Sequence, residues 1–200
     1  AIATQFPENP LLGGLCFICA HKAGPGQIRH LDYQAITLAQ YAPHYQPAGI
    51  TPQLAAIAAD FKAANIEVYC DANLLQSRWR KLVWNIPYNG LSVVLNATTQ
   101  ELMAEPASRQ LVASLMREVQ QGAAAWHCEI PDAFINQMLT HTEQMTPYLT
   151  SMKLDYNAGR ALEHEAIVGE PWRQAKAQGV DLPQMGMLYH QLQFCDRLSR

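Results

Sequence analysis

Arg78-Trp79-Arg80-Lys81-Leu82-Val83-Trp84-Asn85-Ile86-Pro87-Tyr88-Asn89-Gly90-Leu91-Ser92 is the stretch on which the reading of the chain turns. It lies inside an apolar-periodic segment, residues 74–97, that the spacing predicts to be one long helix. Pro87 is expected to kink it, because proline removes a backbone donor and crowds the preceding turn. Lys81, Asn85 and Asn89 follow one another at i, i+4 and i+8. At 100° per residue they stay within about 80° of each other and form one polar row. Leu82, Val83, Trp84 and Ile86 flank that row, so it belongs to a helix that is otherwise largely buried. Two amides and an ammonium on such a helix are costly unless something polar meets them. Their donors and acceptors suit a ligand with a carboxylate, a keto oxygen and a hydroxyl. The competing reading is a solvated face, with Lys81 pointing outward and the asparagines capping a break at Pro87.

Upstream of this helix the chain reads as strands. Leu11 to Ala20 is an apolar run broken by Gly13-Gly14, in which Leu15 to Ala20 reads as a buried strand, and Ala23-Gly24-Pro25-Gly26 is a turn. Gln27 to Leu31 alternates, Tyr33 to Leu38 is another short β-like run, and Ile66 to Cys70 is the last strand. Between them, Gln53 to Asn65 is predicted to be a helix, with Thr51 as its cap and Pro52 at its first position. Downstream of Asp71 nothing reads as strand. Helices are predicted over 107–126, 131–142, 147–158 and 163–178, the last stopped by Gly179. A final helix opens at Leu182-Pro183 and runs towards Leu198. The first piece, with its few strands and single helix, looks like the end of an α/β sheet whose first half is elsewhere.

Composition narrows the function. Of the 200 residues, 49 % are hydrophobic, which supports a packed core. Fourteen Lys and Arg against seventeen Asp and Glu give a net charge of −3. That balance argues against a nucleic-acid partner and a polybasic membrane anchor, but leaves room for a small anionic substrate. No apolar run approaches the ~20 residues of a membrane span. Five scattered cysteines point to a reduced, cytoplasmic setting rather than a disulfide scaffold. Cys16 and Cys19 are three apart on a strand and so face opposite ways, which makes a shared metal or redox bond a poor reading. No His-x-x-x-His pair or Gly-x-Ser-x-Gly motif occurs, so no metal site or serine nucleophile is predicted.

A second polar stretch runs Thr150-Ser151-Met152-Lys153-Leu154-Asp155 to Gly159-Arg160-Ala161-Leu162-Glu163-His164-Glu165. Ser151 and Asp155 are one turn apart, and Glu163 falls at the start of the next helix, where the helix dipole alone would explain it. Taken with the first stretch, the pattern is more telling. Trp79-Arg80-Lys81-Leu82, Asn85, Asn89 and Leu91, followed by Ser151-Met152, Asp155, Gly159-Arg160 and Glu163, resembles the ketopantoate reductase (2-dehydropantoate 2-reductase) family. Asn9 to Gly26, with Pro25-Gly26 in its turn, is similar to the second half of that family's nucleotide domain.

The resemblance implies an α/β plus all-α fold. Residues 1–73 would be the C-terminal part of a Rossmann NADP-binding domain. Residues 74–200 would be an all-helical catalytic domain like that of 6-phosphogluconate dehydrogenases. It implies NADPH-dependent reduction of ketopantoate to pantoate, with the substrate between the two domains. Lys81 would be the catalytic lysine, and Glu163 an acid beside it and beside the nicotinamide ribose. Asn85, Asn89 and Ser151 would hold the substrate, and Ala20, at the end of the first strand, would touch NADPH. A reductase of another branched 2-keto acid and a non-catalytic helical module remain as alternatives. A homodimer is the default assembly.

One large departure stands against the resemblance. The Gly-x-Gly-x-x-Gly turn that cradles a pyrophosphate is absent, and Gly13-Gly14 and Gly24-x-Gly26 do not replace it. The expectation is that about three βαβ units, roughly 100 residues, precede Ala1 in the parent protein.

Overall fold

Ala23 to Gly26 joins two long antiparallel strands in this computed structural model, which describes residues 2–147 and 149–199. The chain divides into two units, Ala1–Arg78 and Trp79–Arg200. In the first, a short helix α1 (Ile2–Gln5) precedes β1 (Leu12–Gly24) and β2 (Gln27–Gln40). Helix α2 (Pro52–Ala63) then crosses to β3 (Glu67–Asp71), which pairs parallel to β2 in a sheet ordered β1-β2-β3.

Residue chemistry accounts for this unit. Thr51 Oγ1 accepts from Leu54 N at 3.2 Å and caps α2, as its place before Pro52 predicts. Leu54 and Ala58 lie one turn apart on α2 and pack on Leu38 and Val68. Ile57 and Phe61 extend the contact to Ile36 and Leu12. One face of the sheet thereby acquires its core.

Two strand readings are corrected. Leu15 to Ala20 is not a buried strand: β1 runs from Leu12 to Gly24, and Cys19 is its one buried residue among those described. The reason is position, since β1 is an edge strand. Gln27–Leu31 and Tyr33–Leu38 are not separate strands either. β2 runs through both and absorbs an extra residue: Phe17 pairs with Ala35 but Cys19 pairs with Asp32, and Tyr33 takes a φ of +55°. Ala20 therefore lies within β1, opposite His30, rather than at a strand end. Cys16 is exposed, Cys19 is buried, and none of the five cysteines is in a disulfide.

The second unit is helical. Helix α3 (Leu74–Val94) begins before it and runs through Pro87 for 21 residues, so the proline does not end it. Helix α4 (Thr99–Ala104) was not expected. Its signal is a capping box, with Thr98 accepting from Glu101 N and Glu101 reaching back to Thr98 N. Helices α5 (Pro106–Ala124) and α6 (Asp132–Gln144) follow the prediction closely. Helix α7 is only Ser151–Asn157, because Thr150 caps it there rather than at Pro147. The helix expected over 163–178 is a π turn at Glu165–Gly169 followed by α8 (Glu170–Ala177). Helix α9 (Pro183–Ser199) completes the unit, and buried Glu118 of α5 caps it by accepting from Gln184 N and Met185 N at 2.9 and 2.7 Å. Val83 and Ile86 of α3, Val112, Met116 and Val119 of α5, and Met185 and Leu192 of α9 form its buried interior.

Candidate functional site

Helix α3 carries the first three candidates. Its start is fixed by Asn73, whose Oδ1 accepts from Leu75 N and Gln76 N at 3.0 and 3.1 Å. Its apolar face buries Trp79, Val83, Ile86 and Leu91. Trp84 Nε1 donates to Thr142 Oγ1 at 3.0 Å, which ties the helix to α6. Tyr88 is buried against Met103, and desolvation pushes its hydroxyl up to about 12. Among these groups Lys81 and Asn85 are half-buried and Asn89 is 3 % exposed.

Asn89 is the informative member. Its Oδ1 is buried and meets no hydrogen-bond partner among the described residues. Buried polar atoms are paired in the great majority of cases, and an orphan costs about 1–3 kcal/mol. The polar row is therefore not a solvated face at this position. The asparagines do not cap a break at Pro87 either. The residue that ends α3 is Asn96, at φ +53°, with Asn96 N bonded to Val93 O and Ala97 N to Ser92 O, a Schellman closure.

Ser151 is the exposed first residue of α7. Thr150 before it is fully buried and is bonded to Ser92 at 2.8 Å. Ser92 in turn donates to Asn89 O at 3.1 Å. Ser151 and Asn89 are thus brought into one neighbourhood. Asp155 and Arg160, both part of the resemblance, form an ion pair at 2.7 Å that closes the end of α7 around Gly159. Glu163 sits elsewhere along the chain's path, exposed, in a turn ahead of the π turn. Its carbonyl accepts from Ile167 N at 3.0 Å, and the preceding Leu162 N donates to Asp196 of α9 at 2.8 Å. The bond of its neighbour Leu162 ties this turn to α9.

The π turn next to Glu163 holds a network that the sequence reading passed over. Glu165 accepts from Tyr189 Oη at 2.5 Å and from Arg173, and these bonds hold its carboxyl below the usual range. Gly169 allows it: a Cβ there would meet the Tyr189 ring at 2.5 Å. Thr150, Ser92 and the Asn96–Lys153 contact were also missed. The one readable signal among them was Asn96, since asparagine favours the left-handed helix end.

Two family descriptions match the chain: ketopantoate reductase PanE/ApbA C terminal over residues 73–196, and ketopantoate reductase PanE/ApbA over residues 1–43. The chain belongs to the ketopantoate reductase family. A protein of Nostoc sp. named 2-dehydropantoate 2-reductase is 53 % identical to this chain over 199 residues, which are 100 % of the chain and 62 % of the relative. The crystal structure of 2-dehydropantoate 2-reductase from Geobacter metallireducens GS-15 matches it with a TM-score of 0.89 and 34 % identity, over 96 % of this chain and 63 % of that one. That of the Methylococcus capsulatus enzyme matches with a TM-score of 0.88 and 30 % identity, over 99 % and 62 %. The fold is accordingly part of a Rossmann domain followed by the helical C-terminal domain. The chain spans less than two thirds of these relatives' length.

Among the described residues, the N-termini of α2 and α3 do not fit the phosphates of a nicotinamide cofactor. The N-terminus of α2 has lost one donor to Pro52, and Leu54 N is taken by Thr51. At the N-terminus of α3, Asn73 takes the free amides, and the Asp71 carboxylate accepts from Asn73 N at 3.0 Å and Ser77 Oγ at 2.6 Å. A carboxylate stands where a phosphate would need donors. Among the described residues no His, Cys, Asp and Glu group could hold a metal ion, and no helix is long and apolar enough to cross a membrane.

Proposed function

We propose that the whole protein reduces 2-dehydropantoate to pantoate, with NADPH as hydride donor, in pantothenate and coenzyme A synthesis, and that this chain supplies the keto-acid site. The observation that carries the proposal is the orphaned Oδ1 of Asn89, in line with Lys81 and Asn85 on α3. An acceptor held dry and unpaired suits a substrate hydroxyl, which can donate to it.

The chemistry follows from the side chains. Lys81 Nζ donates to the C2 ketone oxygen of the keto acid. Reduction of C2 turns that oxygen into an alkoxide, and the ammonium is attracted to it more strongly than to the ketone, which is what lowers a barrier. A proton then passes from Nζ to the oxygen. Asn85 and Asn89 orient the keto and hydroxyl groups, and Ser151 holds the carboxylate. Glu163 is assigned to orient Lys81. The assignments of Glu163 and Ala20 towards NADPH rest on the family resemblance, and no residue of this chain is assigned to the cofactor's phosphates.

An odd number of widely spaced cysteines, five, supports a reducing compartment, the cytoplasm. Exposed Met187, Phe194 and Leu198 on α9 support a homodimer. The test is ketopantoate-dependent oxidation of NADPH by the whole protein beside its Lys81→Ala variant. Turnover should fall about 10²-fold or more in the variant, with its melting temperature unchanged. Reduction of other 2-keto acids but not ketopantoate would move the substrate. Activity with no keto acid at all would leave a non-catalytic helical module.

A further inference from the structure

We propose that Ser92 and Thr150, seconded by Asn96 and Lys153, are a two-point latch that positions Ser151 against the Lys81–Asn85–Asn89 row, so that Thr150 and Ser92 are positioning residues for keto-acid binding. The inference rests on the reductase reading above.

The direction of each hydrogen bond is fixed. Ser92 Oγ has one proton and donates it to Asn89 O at 3.1 Å. Across the 2.8 Å contact Ser92 must therefore accept, and Thr150 Oγ1 donates. Thr150 Oγ1 in turn accepts from Lys153 N at 3.2 Å, the bond that starts α7 at Ser151. Both hydroxyls are 0 % exposed. The chain of bonds leads from the backbone of Asn89 to the residue immediately before Ser151.

The second point lies one helical turn further along. Lys153 Nζ donates to Asn96 Oδ1, and its ammonium stands 4.9 Å from the Tyr156 ring centroid. Lys153 is 3 % exposed. One hydrogen bond between two elements leaves a pivot. Two, separated along both chains, fix slide and rotation together. The partners are 58 and 57 residues apart in sequence, so the latch is tertiary and not a local turn. An apolar pair would fill the Ser92–Thr150 space without desolvating two hydroxyls, and the polar pair adds direction. Ser151 itself is exposed, so its placement depends on the residue before it.

The experiment compares the whole enzyme with Thr150→Val and Thr150→Ser, reading KM for the keto acid, kcat and melting temperature. Thr150→Val keeps the shape and loses the hydroxyl. KM should rise about tenfold with kcat within about threefold, and Thr150→Ser should bring KM back to within about twofold of the parent. If Thr150→Val does not fold, Ser92→Ala breaks the same bond from the other side and should raise KM alike. An unchanged KM in a folded variant, or no rescue by serine, overturns the latch while the reductase reading stands. A parent enzyme that reduces no keto acid overturns the reductase reading and the latch's role with it.

Discussion

Asn89 shows how function and stability pull against each other at a single side chain. Its Oδ1 is buried and meets no partner among the described residues, a cost to the folded chain that the proposed keto-acid site would explain. Replacing it with leucine removes the orphan and keeps the number and branching of the side-chain heavy atoms. Asn89→Leu should therefore leave the melting temperature of the protein level or raise it, by up to about 1 kcal/mol of stability, while ketopantoate turnover collapses. A clear drop in melting temperature would mean that the amide is satisfied in solution and that the orphan is not a binding feature. The row containing Asn89 was legible in the sequence because a helix repeats every 3.6 residues, so i, i+4, i+8 spacing is itself a geometric statement. What Asn89 rests on was not legible. Ser92 and Thr150 meet across 58 residues, and no local spacing encodes such a meeting. Both were in view, at the end of one polar stretch and the start of another, and their sequence neighbours gave them no role.

Elements were legible to the degree that one local force sets them. Helix α2 begins at Pro52 because Thr51 and Pro52 both act at its first turn. Helix α7 was placed four residues early because Pro147 also reads as a helix start, and the burial of Thr150 decides between them. The π turn at Glu165–Gly169 was invisible, since the extra residue per turn is accommodated by the Tyr189 ring lying against Gly169. Close approach also governs where α3 meets α9. A Cβ on Gly90 would lie 2.5 Å from Leu188 Cδ2 and within 2.9 Å of Cδ1 and Cγ, in a side chain that is itself buried. Alanine gains about 1 kcal/mol of helix propensity over glycine. Overpacking a filled core costs about 1–3 kcal/mol. With three atoms of one buried leucine in the way, the overpacking term wins. Gly90→Ala should lower the melting temperature by a few degrees, and Gly90→Ala with Leu188→Ala should show coupling in a double-mutant cycle. Additive effects would show that the two helices do not meet at Gly90.

At the scale of the chain, the residues proposed for the keto acid, Lys81, Asn85, Asn89 and Ser151, lie in the helical unit, and neither α2 nor the start of α3 offers a phosphate cradle among the described residues. Pro52 and Thr51 close the N-terminus of α2 to an anion, and Asn73 and Asp71 close that of α3. The consequence can be read by heat. A ligand that binds only the folded state at 100 times its Kd adds about 2.7 kcal/mol of stability. For a chain of 150–250 residues, each kcal/mol is worth about 2–4 °C, so a competent NADPH site would raise the melting temperature by roughly 5–10 °C. The buried interior of the helical unit, with Val83, Ile86, Met116, Leu188 and Leu192 at 2 % exposure or less, supplies a cooperative transition to follow. For these 200 residues the expected shift with saturating NADPH is none, because the phosphates carry much of a dinucleotide's charge, the amides of α2 are closed by Thr51 and Pro52, and the start of α3 presents a carboxylate. A shift of several degrees would place a cofactor site within this chain and overturn the reading of both helix N-termini. The same measurement on the whole protein should show the full rise, which separates a missing cradle from a family member that has given up the cofactor.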